Sequence, residues 1–158
     1  MGYLAAEQAV AFAGKMENVP EGKGEEPTLE FCSEIMARES GDPWLDAQAF
    51  IQNTMSHYNT NIKSETMTKR GLECLAYLKD AMRLVAANPH EMTHCLEVRN
   101  IIECGEMILR ATIERKESRG FLFSRVDYPE QDDENFFCWL GQRKEGDEVV
   151  FEKRYPKS

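Results

Sequence analysis

Several features that would place this chain in a membrane or outside the cell are missing from its 158 residues. Its longest apolar runs, such as residues 136–140, fall far short of the roughly 18 residues that a membrane-spanning helix requires. The first residues lack the basic cluster of a secretory signal. The five cysteines are an odd number at wide spacings without a C-x-x-C pair, which does not fit a disulfide framework or a cysteine-rich metal site. We therefore expect a cytoplasmic protein with no membrane span.

Positive charge is also scarce, since 28 acidic residues against 19 basic ones give a net charge of -9. The electrostatic attraction that drives binding to nucleic acid or to anionic lipid surfaces therefore has the wrong sign, and neither is an expected partner. The glycines form no G-x-G-x-x-G, P-loop or G-x-S-x-G motif, so the sequence offers no phosphate-binding loop and no nucleophile elbow. Hydrophobic residues make up 42% of the chain, which is enough for one globular domain of this length.

What the sequence does have is helical periodicity, which dominates as far as residue 118. Residues 3–13 contain five alanines and stop at Gly14, as is typical of a helix with a glycine C-cap. The breaker-rich residues 17–27 predict an exposed linker. Apolar residues at steps of three and four then predict four further helices, over residues 28–40, 43–58, 64–87 and 89–116.

Two of these helices begin with recognisable capping sequences. Asp42 followed by Pro43 predicts an N-cap and a first-turn proline. Asn88, Pro89 and Glu91 form a capping-box-like start, with the asparagine as N-cap and the glutamate at the third helical position. The helix that follows is apolar on more than one face, so we expect it to lie at the centre of a bundle.

After Gly120 the periodicity becomes strand-like, and residues 145–147 separate two stretches of strand composition. The predicted fold is therefore mainly α. It consists of an up-down bundle of three main helices, with extra N-terminal helices and an extended C-terminal tail that ends in a short β-hairpin.

The start of the last predicted helix also contains an H-E-x-x-H motif. His90 and His94 lie one helical turn apart and could bind zinc, with Glu91 as a general base. A third ligand could come from Glu97, Glu114 or Glu117. The alternative is a capped helix start that happens to contain two histidines, because the motif follows Pro89 directly and Glu91 already has a capping role.

The most distinctive stretch lies between residues 115 and 136. It contains E-S-R-G at residues 117–120, R-x-D-Y-P at 125–129 and D-D-E-N-F at 132–136, in that order. The three motifs together resemble the C-terminal domain of the flavoprotein subunits of the succinate dehydrogenase and fumarate reductase superfamily. Within that superfamily, the sequence is most similar to the alpha subunit of adenylylsulfate reductase.

This resemblance implies a helical domain that supports an FAD-binding domain of the same polypeptide and borders an iron–sulfur subunit. The family's FAD-binding and catalytic residues lie upstream of anything in this chain, so it implies FAD in the parent protein, no cofactor in this chain and no catalytic residue here. Together with the breaker-rich residues and the helical periodicity, it divides the chain into four parts: residues 1–16 as the trailing helix of the missing FAD-binding domain, 17–43 as a linker with a short helix, 44–118 as the helical bundle, and 119–158 as the extended tail with its hairpin.

The charged residues of the three motifs then become candidate structural joints. Arginine forks and carboxylates suit bidentate pairing, so we expect them to fix the tail over the bundle or over a neighbour. They are Glu117, Arg119, Arg125, Asp127, Asp132 and Asp133.

The sequence leaves three hypotheses for function. The chain is the C-terminal domain of an FAD-dependent oxidoreductase flavoprotein subunit, structural and interaction-forming and inactive alone. Alternatively, it is a stand-alone helical protein-interaction module, or a small zinc hydrolase that uses the H-E-x-x-H motif.

Overall fold

The computed structural model describes residues 2–16, 25–146 and 148–156, and it divides the chain into two compact units, residues 1–34 and 35–158. Its helices are α1 (Gly2–Ala13), α2 (Glu25–Met36), α3 (Trp44–Tyr58), α4 (Glu65–Ala81), α5 (Pro89–Glu114) and α6 (Asp133–Phe136). Its strands are β1 (Ile62–Lys63), β2 (Ser124–Arg125), β3 (Trp139–Glu145) and β4 (Glu148–Arg154). The prediction of a mainly α fold with a C-terminal hairpin is confirmed.

The first unit contains α1, which ends before Gly14 as the glycine C-cap predicted. The helix buries none of its residues, and its four large apolar side chains, those of Tyr3, Leu4, Val10 and Phe12, are all more than 60% exposed. Of the predicted linker, residues 17–24 lie outside the described residues.

Helix α2 starts at Glu25 and ends at Met36, so it begins and ends earlier than the predicted range of 28–40. Pro27 lies in its first turn. A proline is tolerated there because the N–H that it lacks would have no partner within the helix. The last residues of the predicted linker are therefore helical.

The second unit is built around α3, α4 and α5, each of which packs against the other two. Ile51, Leu75 and Leu109, one from each helix, are fully buried in the core between them. The helices pack tightly at Gly71 of α4, where an added Cβ would lie 2.7 Å from the Cβ of Tyr58. Helix α5 also contacts β3, so it has neighbours on two sides, as its apolar faces predicted.

The prediction for the start of α3 was wrong. Pro43 is the N-cap residue, and it makes no side-chain capping bond. Asp42 instead pairs in a parallel bridge with Leu84, and its carboxylate accepts a hydrogen bond from the backbone N–H of Arg83 at 2.7 Å. This pairing requires an extended backbone after α4, so the helix ends at Ala81 rather than at residue 87.

The prediction for the start of α5 is confirmed. The Asn88 side chain accepts a hydrogen bond from the backbone N–H of Glu91 at 3.0 Å, and Pro89 occupies the first turn. The Glu91 carboxylate in turn accepts from the backbone N–H of Ala87 at 2.8 Å and from the side-chain amide of Asn88. The side chains of Asn88 and Glu91 therefore supply hydrogen-bond acceptors for the backbone N–H groups of Glu91 and Ala87 at this helix end.

The tail returns along the bundle and contains two elements that the sequence did not predict. Strand β2 pairs in parallel with β1, with Lys63 opposite Arg125. Helix α6 has Asp132 as its N-cap, which accepts from the backbone N–H of Asn135. The predicted hairpin is β3 and β4, antiparallel, and Gly146 takes a φ of 61° at its turn. Among the described residues, no helix is long and apolar enough to cross a membrane.

Candidate functional site: an arginine–carboxylate network at the end of α5

Two groups of ion-paired side chains lie where the tail folds back on the C-terminal end of α5. We call the first the Glu117 cluster, formed by Arg115, Glu117, Arg119 and Asp133. The second is the Arg125 pair, formed by Arg125 and Asp127. Together with Asp132, these include all six charged residues that the sequence marked as joints.

A tight turn brings the residues of the network together. The backbone N–H of Arg119 donates to the carbonyl of Phe123 at 2.8 Å, and Gly120 takes a φ of 62°, in the left-handed region that glycine favours. The Ser118 hydroxyl closes the base of the turn, because it accepts from the backbone N–H of Arg125 at 2.7 Å and lies 2.7 Å from the carbonyl of Tyr128. The strand that holds Arg125 is thereby fixed against the end of α5.

Glu117 is fully buried at the centre of the first cluster. Its carboxylate accepts hydrogen bonds from Arg119 at 2.8 and 2.9 Å, from Arg115, and from the backbone N–H of Asp132 at 3.0 Å. Burial raises the pKa of Glu117, but the hydrogen bonds from Arg119, Asp132 and Arg115 outweigh it, and the pKa is lowered overall. Glu117 is therefore held as a carboxylate with every donor in place.

Arg119 and Arg115 extend the cluster into the tail. Arg119 also binds Asp133 at 2.7 Å, and the hydrogen bonds from Glu117 and Asp133 raise the pKa of the guanidinium. Hydrogen bonds from Arg119 and, to a smaller extent, from Gln131 lower the pKa of Asp133. Arg115 donates to the carbonyl oxygens of Phe136 and Cys138 at 3.0 and 2.8 Å, which ties α6 and the start of the hairpin to the end of α5.

Asp132 acts mainly as a helix cap. Its carboxylate accepts hydrogen bonds from the side-chain amide and the backbone N–H of Asn135, and these lower its pKa.

Arg125 is the largest fully buried side chain of the described residues. It binds Asp127 through two parallel hydrogen bonds of 2.9 and 2.7 Å. Its remaining terminal nitrogen donates to the carbonyl oxygens of Thr112 and Arg115, at the C-terminal end of α5. Since the last turn of α5 has no basic residue of its own, Arg125 supplies the donor and the positive charge that this helix end needs.

Asp127 links the same network to α4. Its carboxylate accepts from the backbone N–H of Glu65, in the first turn of α4, at 2.9 Å. The hydrogen bonds from Arg125 and from the Glu65 backbone oppose the effect of burial and lower the pKa of Asp127 to about 2. One ion pair therefore joins the end of one core helix to the start of another.

These geometries suit mechanical fixation rather than acid–base chemistry. The acidic groups of the network, Glu117, Asp127, Asp132 and Asp133, have lowered pKa values. All four therefore stay ionised near neutral pH, which suits a structural role in ion pairs. Arg115, Ser118 and Glu65 belong to the network and were not predicted. Arg115 could have been found from its position just before the E-S-R-G motif.

The two histidines of the H-E-x-x-H motif lie at the opposite end of α5. The His94 ring stacks on Trp44 with centroids 4.0 Å apart, its Nδ1 lies 2.7 Å from a Glu97 oxygen, and His90 meets it edge-on. Glu91 is engaged in capping. Within the ranges that the structure describes, no group of three His, Cys, Asp or Glu side chains could hold a metal ion. The geometry therefore favours a capped and packed helix start.

The order of E-S-R-G, R-x-D-Y-P and D-D-E-N after a helical bundle resembles the C-terminal domains of flavoprotein subunits, and the family comparison agrees with this class. The chain belongs to the fumarate reductase flavoprotein C-terminal family, whose model matches residues 48–154.

Solved structures and curated relatives agree with this family. The chain resembles adenylylsulfate reductase from the hyperthermophilic Archaeoglobus fulgidus with a TM-score of 0.85 and 25% identity, over 98% of this chain and 28% of that one. Quinol fumarate reductase of E. coli shares the fold, with a TM-score of 0.82 at 20% identity, also over 98% and 28%. An L-aspartate oxidase of Yersinia pestis is 33% identical over 88 residues, which are 56% of this chain and 16% of the oxidase. The chain thus spans less than a third of each of these relatives.

Proposed function

We propose that this chain is the C-terminal structural domain of an FAD-dependent oxidoreductase, and that FAD and the substrate bind to parts of the parent polypeptide upstream of it. The observation that carries this proposal is the match of 98% of the chain to 28% of adenylylsulfate reductase. The domain supports the FAD-binding part of the same polypeptide and borders an iron–sulfur subunit. The parent transfers electrons between that subunit and an oxyanion or dicarboxylate substrate.

The residues of this chain do not fit a dinucleotide. FAD-binding folds hold the pyrophosphate at a glycine-rich turn between a parallel strand and a helix. Here the parallel pair β1 and β2 has two residues per strand, and β1 leads directly into α4 without a glycine. The first turn of α4 contains Glu65, whose negative charge would repel a phosphate at that helix end. We therefore assign FAD to the upstream part and derive no chemical step for this chain.

The ion-pair network explains how the domain can act as a support. Arg125 and Glu117 fix the tail to the end of α5, and Asp127 fixes it to the start of α4, so residues 115–138 have a defined path over the bundle. A rigid surface of this kind can position a neighbouring domain. The exposed apolar side chains of α1 fit the role of a trailing helix of the FAD-binding part, with residues 17–43 as linker and short helix, 44–118 as bundle and 119–158 as tail.

The proposal is tested by dividing the parent polypeptide after Met16, so that α1 stays with the upstream part to which it is assigned. The upstream part is produced alone, together with residues 17–158 in trans, and together with residues 17–158 carrying Glu117→Ala. We expect the upstream part to retain flavin weakly when it is alone. Flavin retention should recover when the native domain is added and should recover little when the Glu117→Ala variant is added. Full flavin retention by the upstream part alone would contradict the supporting role.

The isolated chain provides a second test. We expect it to purify without flavin absorbance and without reductase activity. Stoichiometric flavin in the isolated chain would overturn the assignment of FAD to the upstream part. A native gene product of this chain's own size would instead favour the stand-alone interaction module.

A further inference from the structure

Beside the Glu117 cluster, the surface forms two adjoining grooves. The larger has a volume of about 570 Å³ and lies between α5, the turn after Gly120 and the hairpin, and the smaller has a volume of about 250 Å³. They share Arg115, Arg119 and Trp139. We call them together the Trp139 groove.

The walls of the Trp139 groove contain large apolar side chains that are left open. Trp139 is 65% exposed, Phe137 is 58% exposed and Ile108 is 46% exposed. Groups of exposed apolar residues with polar neighbours mark interaction sites. Tryptophan and arginine are also the residues most enriched among those that dominate binding energy at protein interfaces. The composition of the groove therefore fits a protein segment as its occupant.

The charge of the groove indicates what that segment carries. Arg115 and Arg119 are matched by Glu117 and Asp133. Lys63 also lines the larger groove, but the hydrogen bonds described for its ammonium run to the carbonyl oxygens of Thr60 and Leu122, which bear no formal charge. Lys63 is 7% exposed. A nearly buried cation beside a groove, whose described hydrogen bonds run to neutral carbonyl oxygens, favours a carboxylate on the occupant.

The size of the groove indicates how the segment is attached. Stable complexes between separate proteins bury on the order of 800 Å² per partner, whereas a groove of this volume accommodates only a few side chains. A tethered segment does not need such an area, because the linkage gives it a high effective concentration. The chain covers 28% of its solved relative, so a parent of comparable length supplies such a segment.

We propose that the Trp139 groove is covered in the parent protein by an upstream segment of the same polypeptide that places an aspartate or glutamate beside an apolar side chain. This inference rests on the proposed function, because it requires a larger parent. The carboxylate pairs with Lys63, and the apolar side chain packs between Trp139 and Phe123.

Photo-crosslinking in the full-length parent tests this inference. Trp139 is replaced by p-benzoylphenylalanine, and Tyr77, which is 71% exposed on α4, receives the same replacement as a matched control. We expect the probe at position 139 to form a crosslink within one chain, to an upstream peptide containing an acidic residue, and the probe at 77 to form none there. Lys63→Glu should lower the yield at position 139 roughly fivefold or more by charge repulsion, whereas Lys63→Gln should lower it less.

The other outcomes are distinguishable from one another. A crosslink to a separate subunit or to a second copy shows as a product of higher mass and overturns the inference, as does the absence of any crosslink at position 139. In both cases a flavin-containing parent would leave the proposed function intact. A native product no larger than this chain would instead remove the proposed function and the inference together.

Discussion

Replacing Arg125 with alanine should lower the free energy of unfolding of this domain far more than the loss of an exposed ion pair does. The substitution removes the two hydrogen bonds to Asp127 and leaves the carbonyl oxygens of Thr112 and Arg115, at the end of α5, without this donor. Breaking a buried ion pair costs about 3–5 kcal/mol. The Asp127 side chain is 30% exposed, so water can reach its carboxylate afterwards, and we expect a loss of about 3 kcal/mol.

The matched control is Arg143→Ala. Arg143 pairs with Glu145 at the same distance of 2.7 Å, but both side chains are more than half exposed. Exposed pairs contribute about 0–1 kcal/mol, so this variant should unfold almost as the native chain does.

Urea denaturation followed by circular dichroism measures the free energy of unfolding of both variants. Arg125→Lys keeps the positive charge but not the planar guanidinium, so its free energy of unfolding should lie between those of the two alanine variants. A loss below about 1 kcal/mol for Arg125→Ala would refute the view that this network holds the tail on the bundle.

Three further predictions concern single residues. The lowered pKa of Asp127, about 2, means that its pairing with Arg125 stabilises the fold above the ordinary aspartate pKa and is lost as pH falls toward 2. Urea titrations from pH 5 to pH 2 should therefore show a smaller drop in the free energy of unfolding for Asp127→Asn than for the native chain. An equal drop in both would contradict this. Gly71→Ala places a Cβ 2.7 Å from that of Tyr58, and overpacking should lower the free energy of unfolding by about 1–3 kcal/mol, whereas a gain in stability would mean that the helices separate easily. Asp42→Ala should lower the free energy of unfolding by about 1 kcal/mol and speed the hydrogen exchange of the backbone amides of residues 83–85. Unchanged exchange would count against the role of the Asp42 side chain in this pairing.

The parts of the fold that were predictable from sequence are those set by neighbouring residues. The apolar spacing of α3 and α5 and the cap formed by Asn88 and Glu91 involve positions one or two turns apart, which a local pattern contains. The end of α4 was missed because it is set by the pairing of Asp42 with Arg83, 41 residues later in the chain. Its own apolar spacing continues past Ala81, so only the tertiary pairing stops the helix.

The network was predictable as a set of residues but not as an arrangement. The motifs of residues 117–136 identified its carboxylates and two of its arginines through a family resemblance. The bond from Asp127 to the Glu65 backbone and the role of Arg125 at the end of α5 join distant segments, and no periodicity or spacing encodes them. The parallel pairing of β1 with β2 was missed for the same reason, since two-residue strands leave no alternating pattern.

The central claim, that this chain is one domain of a larger flavoprotein, is tested most directly by isolating the native product. An antibody raised against this chain is used to purify it from the source organism, and its mass and flavin absorbance are measured. The account predicts a polypeptide several times larger than 18.2 kDa that contains flavin. A flavin-free product of this chain's own mass would contradict it.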